Sequence, residues 1–137
     1  MAATVTLAVR HPLLTRVLWA DVALTGPFGL VLALAASPLA EPLGLPEPLL
    51  RAAGFVLLPI VAFIAWVAGR TEPPRWAVLA VVDVNALWAA TSVIVLLAGG
   101  LDPNAFGVAL VVAQAVAAAV MAELQYLGLR RSVTRPA

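Results

Sequence analysis

Four acidic or amide side chains inside long apolar segments are the groups of this sequence that could do chemistry. They are Asp21, Asp83, Asn85 and Glu123, and each lies roughly two to three helical turns from the predicted cytoplasmic surface. A charged group in hydrocarbon costs at least about 2.5 kcal/mol, so such residues mark a binding site or a buried partner. Carboxylates in a pocket of low dielectric can exchange protons or pair with an organic cation.

Composition excludes most other chemistry. Cysteine is absent, so disulfides, thiolate metal sites and thiol nucleophiles are excluded. His11 is the only histidine and lies at a predicted membrane edge, which excludes a metal site of the usual kind and a histidine acid–base pair. The sequence also has no glycine-rich phosphate loop and no nucleophile elbow. We predict a non-enzymatic protein with no catalytic residue, no metal and no cofactor.

The elements that must position these residues are membrane helices. The chain has 137 residues, of which 64% are hydrophobic and 11% charged, whereas a soluble domain carries about 25% charged residues. A water-soluble domain of this length could not bury so much apolar surface. Lysine is absent, and Ala, Val, Leu, Gly and Pro are abundant, as is typical of GC-rich bacterial genomes. We expect residues 1–137 to form a single transmembrane domain, multi-pass, in the bacterial cytoplasmic (inner) membrane.

Four segments have the roughly 20 apolar residues that a membrane-spanning helix needs. They are Pro12–Ala36, Pro48–Gly69, Arg75–Gly100 and Pro103–Leu129. The turns after the second and third segments are short, which predicts antiparallel neighbours and an all-α, up-down-up-down four-helix bundle. The connection over residues 37–48 is rich in Pro and Leu, so we expect a loop that lies on the outer membrane surface.

Arginine placement predicts the orientation of this bundle. Only Arg51 falls on one side of the predicted membrane, and the other seven arginines fall opposite, namely Arg10, Arg16, Arg70, Arg75, Arg130, Arg131 and Arg135. The positive-inside rule then places both termini in the cytoplasm. Arginines at the membrane surface contact lipid phosphates, so no nucleic-acid partner is expected. A signal peptide is the alternative for the first segment, but its apolar run exceeds the usual length of about 7–15 residues.

Helical phase decides which polar side chains of the first and third segments can meet. At about 100° per residue, Asn85 and Trp88 share the small, polar face of the third segment. Asp83 stands about 200° away from Asn85, so both cannot point at the bundle centre. We expect Asp83 to contact a second protomer or another partner, or else to lie at the edge of the packed arc and meet water from the cytoplasm. In the first segment, Asp21 shares a face with Thr25.

The fourth segment has an alanine-rich face that should pack against its neighbours, because small residues let helices approach closely in lipid. Glu123 flanks this face on one side, and Gln114 and Gln125 flank it on the other. Asp21, Asn85 and Glu123 lie at similar depths, so we expect the three to converge around one pocket. The amide residues could also be simple interhelical hydrogen-bond partners, worth about 0.6 kcal/mol each.

The overall plan resembles the small four-helix integral membrane proteins of bacteria whose activity is uncharacterised. The residues that carry this resemblance are Asn85–Trp88 in the third segment and Ala122–Leu129 in the fourth. In architecture the chain is also similar to the small multidrug resistance family, in which four short helices include an acidic residue in the first. Asp21 matches that carboxylate, and the resemblance implies transport of cations. The strong arginine bias departs from that family, whose members often insert in both orientations.

The leading hypothesis is a non-enzymatic inner-membrane protein, homo-oligomeric in the bilayer, whose cytoplasmic-side pocket binds a small molecule, lipid or cation. Asp21 and Glu123 would supply charge, Asn85 and Gln114 would orient the ligand, and Trp88 would form a wall of the pocket. One alternative is a proton-coupled transporter of small cationic or amphipathic compounds. Another is a structural or accessory subunit of a membrane complex.

Overall fold

A computed structural model describes residues 6–9 and 11–136 of the chain, with side-chain positions for residues 11–132. In chain order its elements are β1 (Thr6–Val9), α1 (Pro12–Leu34), α2 (Ala36–Leu43), α3 (Glu47–Ala68), α4 (Arg75–Leu97), α5 (Ala105–Arg131) and β2 (Val133–Pro136). The described chain is therefore helical apart from two strands of four residues each.

Four of the helices, α1, α3, α4 and α5, are long and apolar enough to cross a membrane. They contain 23, 22, 23 and 27 residues. A rise of 1.5 Å per residue makes even the shortest about 33 Å long, against roughly 30 Å of bilayer hydrocarbon. The four predicted helical segments are confirmed, although their ends differ by a few residues. For example, α4 ends at Leu97, before Gly99 takes a left-handed φ of 77°.

The connection predicted as a loop contains a helix, α2, so that prediction was wrong. This helix ends at Gly44, whose φ is 63°, and a Cβ there would lie 2.8 Å from the Asn104 nitrogen. Asn104 caps α5, because its Oδ1 accepts a hydrogen bond from the Gly107 N–H at 2.9 Å. Its Nδ2 also donates to the Pro42 carbonyl at 2.6 Å. One asparagine thus begins α5 and holds α2 against it.

Glycines allow the closest approaches between helices. α1 packs along α3, α4 packs along α5, and α1 also contacts α5. A Cβ at Gly54 in α3 would overlap the backbone of Gly29 and Ala33 in α1. A Cβ at Gly128 in α5 would crowd the backbone of Leu14 in α1. The second contact sets the rotation of α5 about its own axis, because Gly128 must face α1.

Two apolar clusters fill the two ends of the helix assembly. The cluster near the α3–α4 turn consists of Leu14, Leu18, Ile64, Val67, Ala68, Ala77, Val78, Val81 and Leu129. The cluster near α2 consists of Leu32, Ala36, Leu45, Leu50 and Leu57. Along α1, the buried side chain that separates the two clusters is polar: it is Asp21.

The two ends of the described chain lie together. β1 and β2 pair as an antiparallel two-stranded sheet, which the sequence analysis did not predict. The His11 backbone N–H donates to Ser132 Oγ at 2.9 Å, which joins the start of α1 to the end of α5. His11 Nδ1 accepts from the Leu13 N–H at 3.1 Å and so caps α1. Arg10, one of the arginines used to predict the orientation, lies outside the described residues.

Arg51 joins α3 to the opposite end of α1. Its Nη1 donates to the Ala33 carbonyl at 3.1 Å, and its Nη2 donates to Glu47 Oε1 at 2.5 Å. The Ser37 hydroxyl donates to the same Glu47 oxygen at 2.6 Å. The single arginine on the predicted outer side therefore holds helix ends together.

Candidate ligand-binding site

Asp21, Asn85 and Gln125 meet between α1, α4 and α5 in a closed set of hydrogen bonds. The Asn85 Nδ2 and Gln125 Nε2 amides each donate to Asp21 Oδ2 at 2.6 Å. Asn85 Nδ2 also donates to Gln125 Oε1 at 3.0 Å, and Thr25 Oγ1 donates to Asp21 Oδ1 at 2.8 Å. These four residues are referred to below as the polar cluster.

Three of the four residues of the polar cluster are buried, and Thr25 is half-buried. Asp21 is 1% exposed, Asn85 6% and Gln125 0%. Within the described residues, every buried side-chain nitrogen or oxygen has a hydrogen-bond partner. The described partners of Asp21 are one hydroxyl and two amides, and none of them is basic. A negative charge on Asp21 therefore has three donors but no positive charge among them, which is costly in a low-dielectric interior.

Each helix presents its polar residue on the stripe that it buries. In α4 the buried residues are Ala77, Val78, Val81 and Asn85. In α5 they are Gly107, Ala115, Ala118, Ala122, Gln125, Gly128 and Leu129. The small residues of this second stripe let α5 approach α1 closely, which brings the long Gln125 side chain to Asp21. Thr25 is one turn after Asp21 in α1, so its hydroxyl reaches the carboxylate.

The polar cluster lies at one end of a cavity of about 300 Å³, referred to below as the Asp21 cavity. Asp21, Thr25 and Asn85 line this end, and most of the remaining wall is apolar. Leu24 in α1 and Ala117 in α5 line the cavity and are exposed. The Asp21 cavity therefore opens sideways between α1 and α5, toward the surface that a bilayer would cover with lipid.

Trp88 and Gln114 form the other end of the Asp21 cavity. Trp88 Nε1 donates to Gln114 Oε1 at 2.6 Å, and Gln114 Nε2 donates to the Val111 carbonyl at 2.9 Å. A second cavity of about 280 Å³, the apolar cavity, lies beyond this pair. The two linings share four residues: Phe28, Trp88, Leu110 and Gln114. The predicted pocket residues Trp88 and Gln114 thus border the Asp21 cavity without joining the polar cluster.

Glu123 does not reach the polar cluster. The structure brings Asp21 and Asn85 together, as expected, but Glu123 is exposed on α5. Gln125, which the sequence analysis placed on the opposite flank of the alanine face, takes the expected position of Glu123. The two residues stand about 200° apart on the helix, so only one of them can face α1. The contact at Gly128 selects Gln125, and this corrects the expected convergence of three ionisable or amide groups.

Asp83 is exposed on α4, on the side away from Asn85. The predicted difference in direction between Asp83 and Asn85 is therefore confirmed, and a contact between Asp83 and another subunit stays a prediction. Thr25 and Gln125 are the cluster members that were not predicted as site residues. The sequence of α5 alone does not distinguish Gln125 from Glu123, because both residues flank the alanine face.

The chemistry open to this arrangement is binding or proton exchange at one carboxylate. Among the described residues, no group of three or more His, Cys, Asp or Glu side chains could hold a metal ion. A single carboxylate can pair with an ammonium group, and the aromatic rings of Phe28 and Trp88 line the same cavity. Aromatic faces attract cations by about 0.5–2 kcal/mol, depending on how far the pair is removed from water.

Comparison with known proteins adds no family to these observations. The likeness to the small multidrug resistance family is not confirmed, although four membrane-length helices are consistent with a small four-helix membrane protein. No family model, curated protein or solved structure matches this chain.

Proposed function

We propose that this chain is a multi-pass protein of the bacterial cytoplasmic membrane that binds a small amphipathic cation in the Asp21 cavity and catalyses no reaction. The observation that carries the proposal is the position of Asp21. Its carboxylate is 1% exposed, has no basic group among its described partners, and lies at the end of a largely apolar cavity. A ligand with a cationic head and an apolar body complements both features.

The charge of Asp21 favours a cation as the ligand. An unpaired buried charge costs several kcal/mol, and an ammonium group beside the carboxylate would offset part of that cost. The apolar wall favours an organic cation over a hydrated metal ion, because the wall offers few groups to replace water ligands. The opening between α1 and α5 would admit such a compound from the bilayer, where amphipathic molecules concentrate.

We further propose that the helices run up-down-up-down, with both termini in the cytoplasm. Two contacts between α4 and α5 support antiparallel directions: Asn85 bonds to Gln125, whereas Trp88, further along α4, bonds to the earlier residue Gln114. The pairing of β1 with β2 supports termini on one side. The arginine distribution supports the cytoplasm as that side.

A docking function is the second candidate, and the exposure of α4 and α5 favours it. Within an apolar stretch of 18 residues in each helix, 33% of the residues of α1 are buried, whereas 17% are buried in α4 and 17% in α5. Asp83 and Glu123 are exposed on these two helices. A second protomer or another subunit that covered the exposed sides of α4 and α5 would remove both carboxylates from lipid. In that case Asp83→Leu would release the bound subunit and leave cation binding unchanged.

Head-group selectivity tests the proposed function. We would measure binding of decylamine, decanol and decanoate to the protein in zwitterionic nanodiscs, with empty nanodiscs as the correction for partition into lipid. At neutral pH only the amine is a cation. We expect decylamine to bind at least about tenfold more tightly than decanol, which is about 1.4 kcal/mol. Asp21→Asn should remove this preference, because it removes the negative charge and keeps the shape of the side chain.

Glu123→Gln is the matched control, since it removes an exposed carboxylate that was predicted at a similar depth. This variant should keep the preference for the amine. A preference that survives in Asp21→Asn would contradict the proposal. Proton-coupled transport is a further arm, measured with decyltrimethylammonium because this quaternary cation has no neutral form that could cross lipid unaided. In proteoliposomes, a pH gradient should drive its uptake by the unchanged chain and not by Asp21→Asn. Binding without such uptake would exclude the transporter alternative.

A further inference from the structure

The two cavities are stacked end to end along the helices. In α1 the Asp21 cavity is lined from Asp21 to Phe28, and the apolar cavity continues from Phe28 to Leu32. In α4 the lining of the Asp21 cavity likewise ends at Trp88, where that of the apolar cavity begins. The far end of the apolar cavity is lined by Leu101, in the connection before α5. A straight path from Asp21 along the helices therefore crosses one partition between the two cavities. It is formed by the shared lining residues Phe28, Trp88, Leu110 and Gln114.

The two polar side chains of the partition are joined by one hydrogen bond between uncharged groups, from Trp88 Nε1 to Gln114 Oε1. A neutral hydrogen bond of this kind changes an equilibrium by about fivefold. Burial of a methylene group in an apolar site changes it by about fourfold. Two methylenes that enter the apolar cavity would therefore outweigh the loss of the hydrogen bond.

The lining of the apolar cavity is suited to a hydrocarbon chain. Its polar lining residues include Ser92, whose hydroxyl donates to the Trp88 carbonyl at 2.7 Å, and Gln114, whose amide is bonded to Trp88 and Val111. Most of the other lining side chains are aliphatic. A ligand head group would find few free partners there, whereas an alkyl chain needs none.

We propose that the Trp88–Gln114 pair determines the length of apolar tail that a ligand bound at Asp21 can carry, and that the apolar cavity receives longer tails when the pair separates. This inference rests on the proposed binding of an amphipathic cation. The occupant of the apolar cavity is thus the alkyl chain of the ligand whose head lies at Asp21. Trp88 and Gln114 act as specificity-determining residues for that site.

A homologous series of primary alkylamines, from butylamine to dodecylamine, tests this role. Affinity is measured in nanodiscs and referred to the free aqueous concentration. For the unchanged chain we expect a gain of up to about fourfold per methylene. The affinity gained per methylene should fall clearly below fourfold at the length where the tail reaches the Trp88–Gln114 pair. Part of the binding free energy of that methylene is then used to separate Trp88 from Gln114. Trp88→Ala should show no such break.

Three further variants separate the role of the partition from a general effect on folding. Gln114→Ala removes the other half of the pair and should also abolish the break, which covers the case in which Trp88→Ala fails to fold. Trp88→Phe keeps most of the ring but lacks the indole N–H that donates to Gln114 Oε1, so it should weaken the break. Trp19→Ala removes a tryptophan that is 47% exposed and lines neither cavity, so its curve should match that of the unchanged chain.

The outcomes distinguish this inference from the proposed function. If amines bind and the break is identical in Trp88→Ala and Gln114→Ala, the partition does not limit tail length and the inference is overturned alone. A curve without a break in the unchanged chain overturns it as well, since the tail would then leave sideways between α1 and α5. If no amine binds, the proposed function fails, and this inference fails with it.

Discussion

At the scale of single residues, Gln125 is the side chain on which the polar cluster depends most. It is fully buried, and it bonds to both Asp21 and Asn85. Gln125→Leu removes both bonds and leaves a buried carboxylate with one donor fewer. We expect the free energy of unfolding to fall by about 1–3 kcal/mol, the usual cost of an unsatisfied buried group. Reversible denaturation in mixed detergent micelles measures this difference.

Glu123→Leu is the matched control for that prediction. Glu123 lies two residues earlier in the same helix and is exposed, so its substitution should change the free energy of unfolding by no more than about 0.5 kcal/mol. Similar losses for both variants would show that Gln125 does not hold the cluster.

The same two residues show how far a sequence can locate a site. The meeting of Asp21 and Asn85 could be predicted, because depth and helical phase within each segment point both residues inward. The choice between Glu123 and Gln125 could not, because both border the alanine face of α5. That choice depends on how α5 is rotated against α1. The contact between Gly128 and Leu14 fixes the rotation, and a contact between helices is not visible within one helix.

At the scale of elements, the close contact between α1 and α3 determines the shape of the assembly. A Cβ at Gly54 would overlap the backbone of Gly29 and Ala33, and backbone cannot move aside as a flexible side chain can. Gly54→Ala must therefore push α1 and α3 apart. We expect a loss of about 1–3 kcal/mol in the free energy of unfolding, the range typical of overpacked interiors.

Gly26→Ala in α1 is the control at a position without a close backbone contact. A Cβ at Gly26 would lie 3.6 Å from Val61 Cγ1, which is ordinary van der Waals contact. Alanine in a helix interior is favoured over glycine by roughly 0.5–1 kcal/mol, but Pro27 follows and its ring crowds a Cβ at the preceding residue. The two effects oppose each other, so this variant should lose less free energy of unfolding than Gly54→Ala. If Gly26→Ala were destabilised and Gly54→Ala were not, the close contact between α1 and α3 would not lie at Gly54.

The long helices could be predicted from length and hydropathy, whereas α2 could not. The segment that forms α2 contains two prolines, Pro38 and Pro42, and these residues favoured the prediction of a loop. Pro38 lies in the first turn, where backbone N–H groups have no partner within the helix and a missing one costs nothing. Packing also stabilises α2, because Asn104 in the connection before α5 bonds to the Pro42 carbonyl. That bond joins residues far apart in the chain, so no local pattern reveals it.

At the scale of the whole molecule, charge is distributed unevenly between the two ends of the helices. Among the arginines that the structure describes, only Arg51 lies at the end where α2 is found, and its guanidinium is engaged by Glu47 and the Ala33 carbonyl. These contacts explain why an arginine stands at position 51, independently of the orientation of the chain in the membrane. The arginines at the opposite end include Arg70 and Arg130, which are exposed. Their guanidinium groups lie over the rings of Trp66 and Tyr126, 4.4 and 5.9 Å from the ring centroids, at an end where arginines can contact lipid phosphates.

Orientation is directly testable because the chain contains no cysteine, so single cysteine variants carry one label each. Thr71 is exposed in the α3–α4 turn, and Asp102 is exposed before α5. In intact bacterial cells without an outer membrane, a membrane-impermeant maleimide should label Asp102→Cys and reach Thr71→Cys only after lysis. Labelling of both variants in intact cells would mean that the chain inserts in both directions, as members of the small multidrug resistance family often do. The arginine bias would then fail to set the orientation, and Asp21 would lie near opposite membrane surfaces in different copies.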